Sequence, residues 1–277
     1  MNAEVSIAPV TGAPVMQRSH GSAAVVFDQK LDKAHLVRLR QSGSAKVILP
    51  HVGIIPEVVF LNTSGGLTGG DTLSFGLTLG AGVKAVATTQ TAERAYRAGD
   101  GLAKVTVDLA VGVGGWLDWL PQETILFDAS ALHRCTTIDL DADAGCLALE
   151  ALVLGRPAMG EAISRVLLRD TRIIRRDGVS VMHEPLLIDT AALQAGSAVL
   201  GGAKAFASLI MVGQGAADML SEARGVLDEP GVEAAASAWD GKLSVRMMAV
   251  DGWPLRQQIR RVLAAIRPLP LPRVWQM

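Results

Sequence analysis

From Ala23 to about Leu187 the chain follows a period of two, and that pattern narrows the fold more than any single motif does. Leu36-Val37-Arg38-Leu39-Arg40, Lys46-Val47-Ile48-Leu49, Val58-Val59-Phe60-Leu61, Leu73 to Leu79, Val83 to Thr89 and Lys104 to Val111 are short runs rich in β-branched residues. Each is bounded by Gly, Ser, Asp or Pro, the punctuation of strands joined by turns. Thr137 to Asp143 alternates Ile138, Leu140 and Ala142 with Asp139, Asp141 and Asp143, which reads as a half-exposed strand whose aspartates face water or, less simply, a cation. Cys146 to Leu154 reads as a strand with Leu147, Leu149, Ala151 and Val153 on one face and Ala148, Glu150, Leu152 and Leu154 on the other.

Two late segments change to helical spacing. Ala216 to Leu227 carries Met219, Leu220, Ala223, Val226 and Leu227 on one face, and Pro254 to Ile266 carries Leu255, Ile259, Val262, Leu263 and Ile266. Pro254 suits a first helical turn, Arg260, Arg261 and Arg267 suit the negative end of the helix dipole, and Pro268 and Pro270 stop continuation. That stripe of aliphatics serves either a core or an interface. The expected architecture is mainly β: layered sheets in one domain over residues 23–277, two α-helices near the C-terminus, and a flexible segment at 1–22.

With 277 residues, 49% of them hydrophobic, the chain has ample material for a core. A net charge of −1 offers no basic field for nucleic acid or anionic lipid, so neither is an expected partner. Cys135 and Cys146 fit neither a disulfide framework nor a zinc cage. The first twenty residues lack an apolar signal core, and no uncharged run of eighteen residues follows, so the expected location is the cytoplasm. Mean hydropathy is +0.32, consistent with an alanine-rich core or with apolar surface kept for partners.

Chemistry has few places to sit. His20, His35, His51, His133 and His183 fall in no metal-binding spacing, and Ser64 lacks the elbow of a serine hydrolase. Leu61-Asn62-Thr63-Ser64-Gly65-Gly66-Leu67-Thr68-Gly69-Gly70-Asp71 packs four glycines and one acid between two strand-like runs, which reads as a structural hairpin or a close approach to another backbone or ligand. No Lys-Ser or Lys-Thr follows, so it is not a phosphate loop. Glu150 stands in an apolar row, where it must be protonated, paired or lining a wet cavity, with Arg156 the nearest candidate partner. Glu123, Glu161 and Glu184 sit beside Gly or Pro turns.

Thr63 to Asp71, then Thr88-Thr89-Gln90-Thr91-Ala92-Glu93-Arg94-Ala95-Tyr96-Arg97, Trp119-Leu120-Pro121-Gln122-Glu123-Thr124-Ile125-Leu126-Phe127, and Gly155-Arg156 to Gly160-Glu161 resemble, in order and spacing, the UreD (UreH) family of urease accessory proteins. The likeness runs from about Phe27 to Arg267, with Asn62-Thr63 where the family often has Asn-Pro. It implies helically wound sheets and a non-catalytic scaffold for nickel delivery. Such a scaffold contacts the urease structural subunits and UreF, through which UreG joins, and has no tightly bound cofactor and Ni²⁺ only in transit. It also implies an internal water-filled tunnel. Carboxylates and hydroxyls hold Ni²⁺ weakly enough to release it, so the expected conduit residues are Asp71, Thr88, Thr89, Glu123, Glu150 and Glu184. Two other readings stand beside it: a hydrolase or lyase using Asp71 with Glu123, and a β interaction module with no role in metal transfer.

Overall fold

The computed structural model describes residues 17–51, 53–156 and 159–276. In chain order its strands are β1 (His20–Lys30), β2 (Lys33–Gly43), β3 (Ala45–Ile48), β4 (Glu57–Asn62), β5 (Thr72–Leu79), β6 (Lys84–Thr89), β7 (Glu93–Ala95), β8 (Ala103–Val111) and β9 (Trp116–Trp119), then β10 (Thr124–Leu126), β11 (Ser130–Leu140), β12 (Gly145–Leu154), β13 (Val166–Arg176), β14 (Val179–Asp189), β15 (Ala205–Val212), β16 (Val232–Trp239) and β17 (Lys242–Ala249). Three helices join them: α1 (Thr190–Gln194), α2 (Leu220–Arg224) and α3 (Gly252–Ile266). The six runs from Leu36 to Val111 fall in strands to within one residue, as does Cys146 to Leu154, and the protein is mainly β. Residues 1–16 of the expected N-terminal segment lie outside the described residues, and His20 to Ser22 already open β1.

Two sheets face each other. One has the order β14-β13-β11-β8-β5-β1-β2, and the other runs β16-β17-β15-β12-β9-β6-β4-β3, with β10 beside β12 and β7 beside β10. Between β4 and β13 the chain passes from sheet to sheet, so that β5, β8, β11 and β13 are parallel neighbours in one, and β4, β6, β9 and β12 in the other. Parallel pairing needs a crossover, and here the opposite sheet supplies it where other folds use helices. Antiparallel strands close the coil at its ends, β2 on β1, β14 on β13, and β15, β17 and β16 beyond β12.

Alternation sends Leu73, Phe75, Leu77 and Leu79 of β5, Val105, Val107, Leu109 and Val111 of β8, and Cys146, Ala148, Leu152 and Leu154 of β12 into one core between the sheets. The opposite face of β12, with Leu147, Leu149 and Ala151, joins a second core under α3, whose Leu255, Ile259, Val262, Leu263 and Ile266 are all buried there. The aliphatic stripe of α3 is therefore core. Asp251 caps it by accepting from Trp253 N–H at 2.7 Å, and the buried Asp118 holds Arg267 just past its end. The first expected helix is shorter than its period suggests: a 3₁₀ turn at Ala217–Met219 precedes α2, and the chain leaves the helix at Gly225. Among the described residues no helix is long and apolar enough to cross a membrane.

The glycine loop is not a hairpin, because β4 and β5 belong to different sheets and the loop carries the chain between them. A Cβ on Gly66 would lie 2.3 Å from the Tyr96 ring and 2.8 Å from the Arg94 carbonyl, and one on Gly69 would lie 2.4 Å from the Asp100 carbonyl. The glycines thus let the loop press on the segment around β7. The expected strand Thr137–Asp143 also needs correction. β11 ends at Leu140, Asp141 to Ala144 form a turn with Ala142 at φ 41°, and Asp143 accepts from Gly114 N–H at 2.8 Å, so only Asp139 sits on a strand face.

Gly66→Ala is expected to cost roughly 1–3 kcal/mol, the usual penalty for overpacking, measured by chemical denaturation. Asp128 Oδ1 accepts from Ser164 N–H and Oγ and from Arg165 N–H, which pins the segment before β13 and lowers its pKa from 3.8 to about 2. A depressed carboxylate stabilises the fold above its unfolded pKa and loses that contribution as pH falls through the folded one. Asp128→Asn should therefore be less stable at neutral pH, and the gap to the unmodified chain should close between about pH 4 and pH 2.

Candidate functional site

Parallel register stacks the inward residue of one strand on that of the next, so a polar residue entering the core finds its neighbours fixed about 4.8 Å away. Across the first sheet Leu73, Val105, Arg134, Asp170 and Leu186 form one such row, and Phe75, Val107, Thr136, Arg172 and Glu184 the next. Across the second, Glu150 aligns with Ser208 and Arg246, and Glu93 with Thr124 and Leu152. Both rows of the first sheet are apolar on β5 and β8 and turn polar on β11 and β13, where they meet Glu150 of the second sheet.

Arg134 is the centre of this seam. Its Nε and Nη2 donate to the two oxygens of Asp170 at 3.0 and 2.5 Å, its Nη1 donates to Thr124 Oγ1 at 3.1 Å, and the same Nη1 lies 2.8 Å from Glu150 Oε2. The last contact is an ion pair without hydrogen-bond alignment, so Glu150 Oε2 has no donor, while Oε1 accepts from Thr136 Oγ1 at 3.3 Å and Trp119 Nε1 at 3.4 Å. Burial pushes the Glu150 carboxyl above the usual carboxylate range, and the Arg134 charge only partly offsets it. Burial also opposes the charge of Arg134, but Asp170 and Glu150 outweigh it and keep the guanidinium protonated.

A second cluster lies beside the first. Arg172 Nη1 donates to the carbonyls of Ala148 and Ser208 at 3.0 and 3.2 Å, and Nη2 donates to Ser208 Oγ at 2.9 Å and to Glu184 Oε2. Glu184 Oε1 accepts from Ser208 Oγ at 2.7 Å and from Arg246 Nη2 at 3.2 Å. Burial alone would raise the Glu184 carboxyl, but the Arg172 charge and these hydrogen bonds hold it below its ordinary value.

Three cavities follow the seam in series. The widest, of 310 Å³, is lined by Glu150, Asp170, Arg172, Glu184, Ser208 and Arg246 together with Leu187, Val199 and Phe206. Glu150 also lines a narrow cavity of 40 Å³ with Arg134, Trp119, Thr124, Thr89 and Glu93. Thr89, Glu93 and Phe75 are shared in turn with a third, also of 40 Å³, that reaches Asn62, Gly65 and Arg94. The interior thus holds a string of spaces from the glycine loop to β14. Among the described residues no group of three His, Cys, Asp or Glu side chains converges to hold a metal ion.

Of the six residues expected from the sequence, Thr89, Glu150 and Glu184 line this string. Asp71 does not: it is buried in its own loop, where it accepts from Ser19 N–H at 2.7 Å and Thr68 N–H at 2.8 Å. Thr88 donates its hydroxyl to the Leu120 carbonyl at 2.6 Å, a structural bond inside the second sheet. Glu123 pairs with Arg256 at 3.2 Å and ties the Pro121 turn to α3. The partner expected for Glu150 is also corrected, since Arg156 pairs with Glu161 at 2.8 Å and Glu150 with Arg134. Glu93, Arg134, Asp170 and Arg172 were missed. For the last three the signal was the same alternation: Leu132, Arg134, Thr136, Ile138 and Leu140 form a single face, as do Leu168, Asp170, Arg172 and Ile174.

The model of the family described as "UreD urease accessory protein" matches residues 19–276. Relatives named "Urease accessory protein UreD" include one from Cereibacter sphaeroides (strain ATCC 17025 / ATH 2.4.3), 61% identical over 94% of this chain and 96% of its own length. Another, from Paracoccus denitrificans (strain Pd 1222), is 52% identical over 98% and 96%, and one from Jannaschia sp. (strain CCS1) is 45% identical over 95% and 98%.

Removing one partner of a buried ion pair strands the other, at a cost of roughly 3–5 kcal/mol, and Arg134 serves two carboxylates. Arg134→Met should lower the denaturation midpoint accordingly. Adding Glu150→Gln and Asp170→Asn should recover part of the loss, because neutral amides need no counter-charge.

Proposed function

Because the chain belongs to the UreD urease accessory protein family, with a role in urease maturation, we propose that it acts as a non-catalytic scaffold through which Ni²⁺ passes to apo-urease. In this reading it works in the cytoplasm, binds the urease structural subunits and UreF, and is joined by UreG through UreF. The observation that carries the reading is the string of cavities between the sheets, with carboxylates and hydroxyls along it. Oxygen donors of this kind form exchangeable bonds with Ni²⁺, whereas an imidazole or thiolate cage would retain it.

The seam also suits passage on electrostatic grounds. Glu150, Asp170 and Glu184 are balanced by Arg134, Arg172 and Arg246, so a cation crossing the interior meets polar groups without a deep negative well. The carboxylate-pair alternative is weakened by the partners of its own residues, since Asp71 is engaged by two backbone amides and Glu123 by Arg256. The interaction-module reading makes the opposite prediction for interior acids.

Urease activity and nickel content in cells expressing the urease subunits, UreF and UreG should depend on this chain. Glu150→Gln and Glu184→Gln should lower the nickel content of urease while leaving the complex with UreF and urease intact in co-purification. Full nickel loading by both variants would leave a docking role without passage.

A further inference from the structure

Strand β2 ends the first sheet on the side away from β14, and among the described residues no further strand pairs with it. Apart from its ladder with β1, no hydrogen bond among the described residues reaches the backbone of Ala34 to Ser42. An edge strand turns alternate N–H and C=O groups outward, which makes β2 a template for one more strand. Near its Gly43 end the two sheets are tied together, Gln41 Oε1 accepting from Val47 N–H at 3.0 Å. Toward Lys33 they part around a slot of 760 Å³ lined by Phe27, Leu36, Leu49, Ile54, Ile55 and Val83. Phe27 and Val83 belong to the core between the sheets, so the slot is an unfilled continuation of that core. Leu36, Leu39 and, on the far rim, Ile54 are left exposed.

The two faces of β2 differ in chemistry. Leu39 lies opposite the core residue Val25 and shares its inward face, while Arg38 and Arg40 lie opposite Val26 and Ala24 and share their outward one. Along the β1–β2 hairpin Lys30, Lys33, Arg38 and Arg40 outnumber Asp28 and Asp32, although the whole chain carries a net charge of −1. Among the described residues none of these four cations makes an ion pair. A strand laid on β2 would set alternate side chains against Leu36, Leu39 and the slot, and the intervening ones beside Arg38 and Arg40.

We propose that β2 is a docking edge for an extended segment of a partner protein in which apolar residues alternate with Asp or Glu. Backbone pairing supplies affinity, while the slot and the arginines select the alternation. The edge needs no metal and stands apart from the widest cavity at Glu150 and Glu184. The probe is a fluorescein-labelled peptide in which Glu and Asp alternate with Val and Leu, titrated with the purified full-length chain and read by anisotropy. It should bind, and amide exchange should slow across Lys33–Gly43. Arg38→Glu combined with Arg40→Glu, its fold checked by circular dichroism, is expected to weaken binding about tenfold, and a peptide with Lys at the acidic positions should not bind. An added strand points only every second N–H at β2, so of two peptides N-methylated at complementary alternate positions one should bind and the other should not. Equal binding of those two peptides, protection of other strands only, or no binding of the acidic peptide overturns the docking edge. A dimer of this chain that protects the same amides without peptide would assign the edge to a second copy and overturn it as well.

Discussion

Arg134 between Asp170 and Glu150 is the contact on which the interior depends, because it joins the two sheets at the place where their cores stop being apolar. Strand register forces the meeting. Arg134 is the inward residue aligned with Asp170 in the neighbouring strand, and Glu150 projects from the opposite sheet. Burying these ions carries a desolvation cost of several kcal/mol each, which attraction repays only when geometry and hydrogen bonding are good. A bidentate pair to Asp170 and a third bond to Thr124 meet that condition for the arginine, while Glu150 retains an oxygen without a donor. An aliphatic filling of the same volume would be the cheaper way to stabilise the fold, so stability alone does not account for the polar seam.

The two cores divide the work. Under α3 the packing is aliphatic with Trp275 sealing the far end, its Nε1 donating to the Leu120 carbonyl at 2.9 Å. Between the sheets, the residues that β5 and β8 contribute to the core are equally apolar. Rigid packing on these flanks keeps the seam open, since a strand cannot move inward to close a cavity without breaking ladder bonds on both sides. Acids that looked functional in the sequence turn out to hold this frame: Asp71 fastens the glycine loop to the residue before β1, and Glu123 fastens the Pro121 turn to the last helix.

What was legible followed from local spacing. The strand runs, the helix from the Pro254 region and the odd position of Glu150 all came from a pattern spanning a few residues. Partners could not be read that way, because Arg134 and Glu150 are brought together by winding and lie on different sheets. Charged residues on strands are ordinarily assigned to the wet face, and that default hid Arg134, Asp170 and Arg172 even though each continues an apolar alternation. The three aspartates near Asp141 misled for the reverse reason: their spacing matched a strand, but a tight turn interrupted it.

The antiparallel ends of the coil have a consequence for how the protein exists in a crowded cell. A parallel coil left open would present, at each end, a strand ready to accept the same strand of another copy, and growth would have no natural limit. Here the chain doubles back at each end, and β2, exposed along almost its whole length, places Lys33, Arg38 and Arg40 on the last rung. Two copies brought edge to edge would set like charges against each other, which makes the coil a finite object.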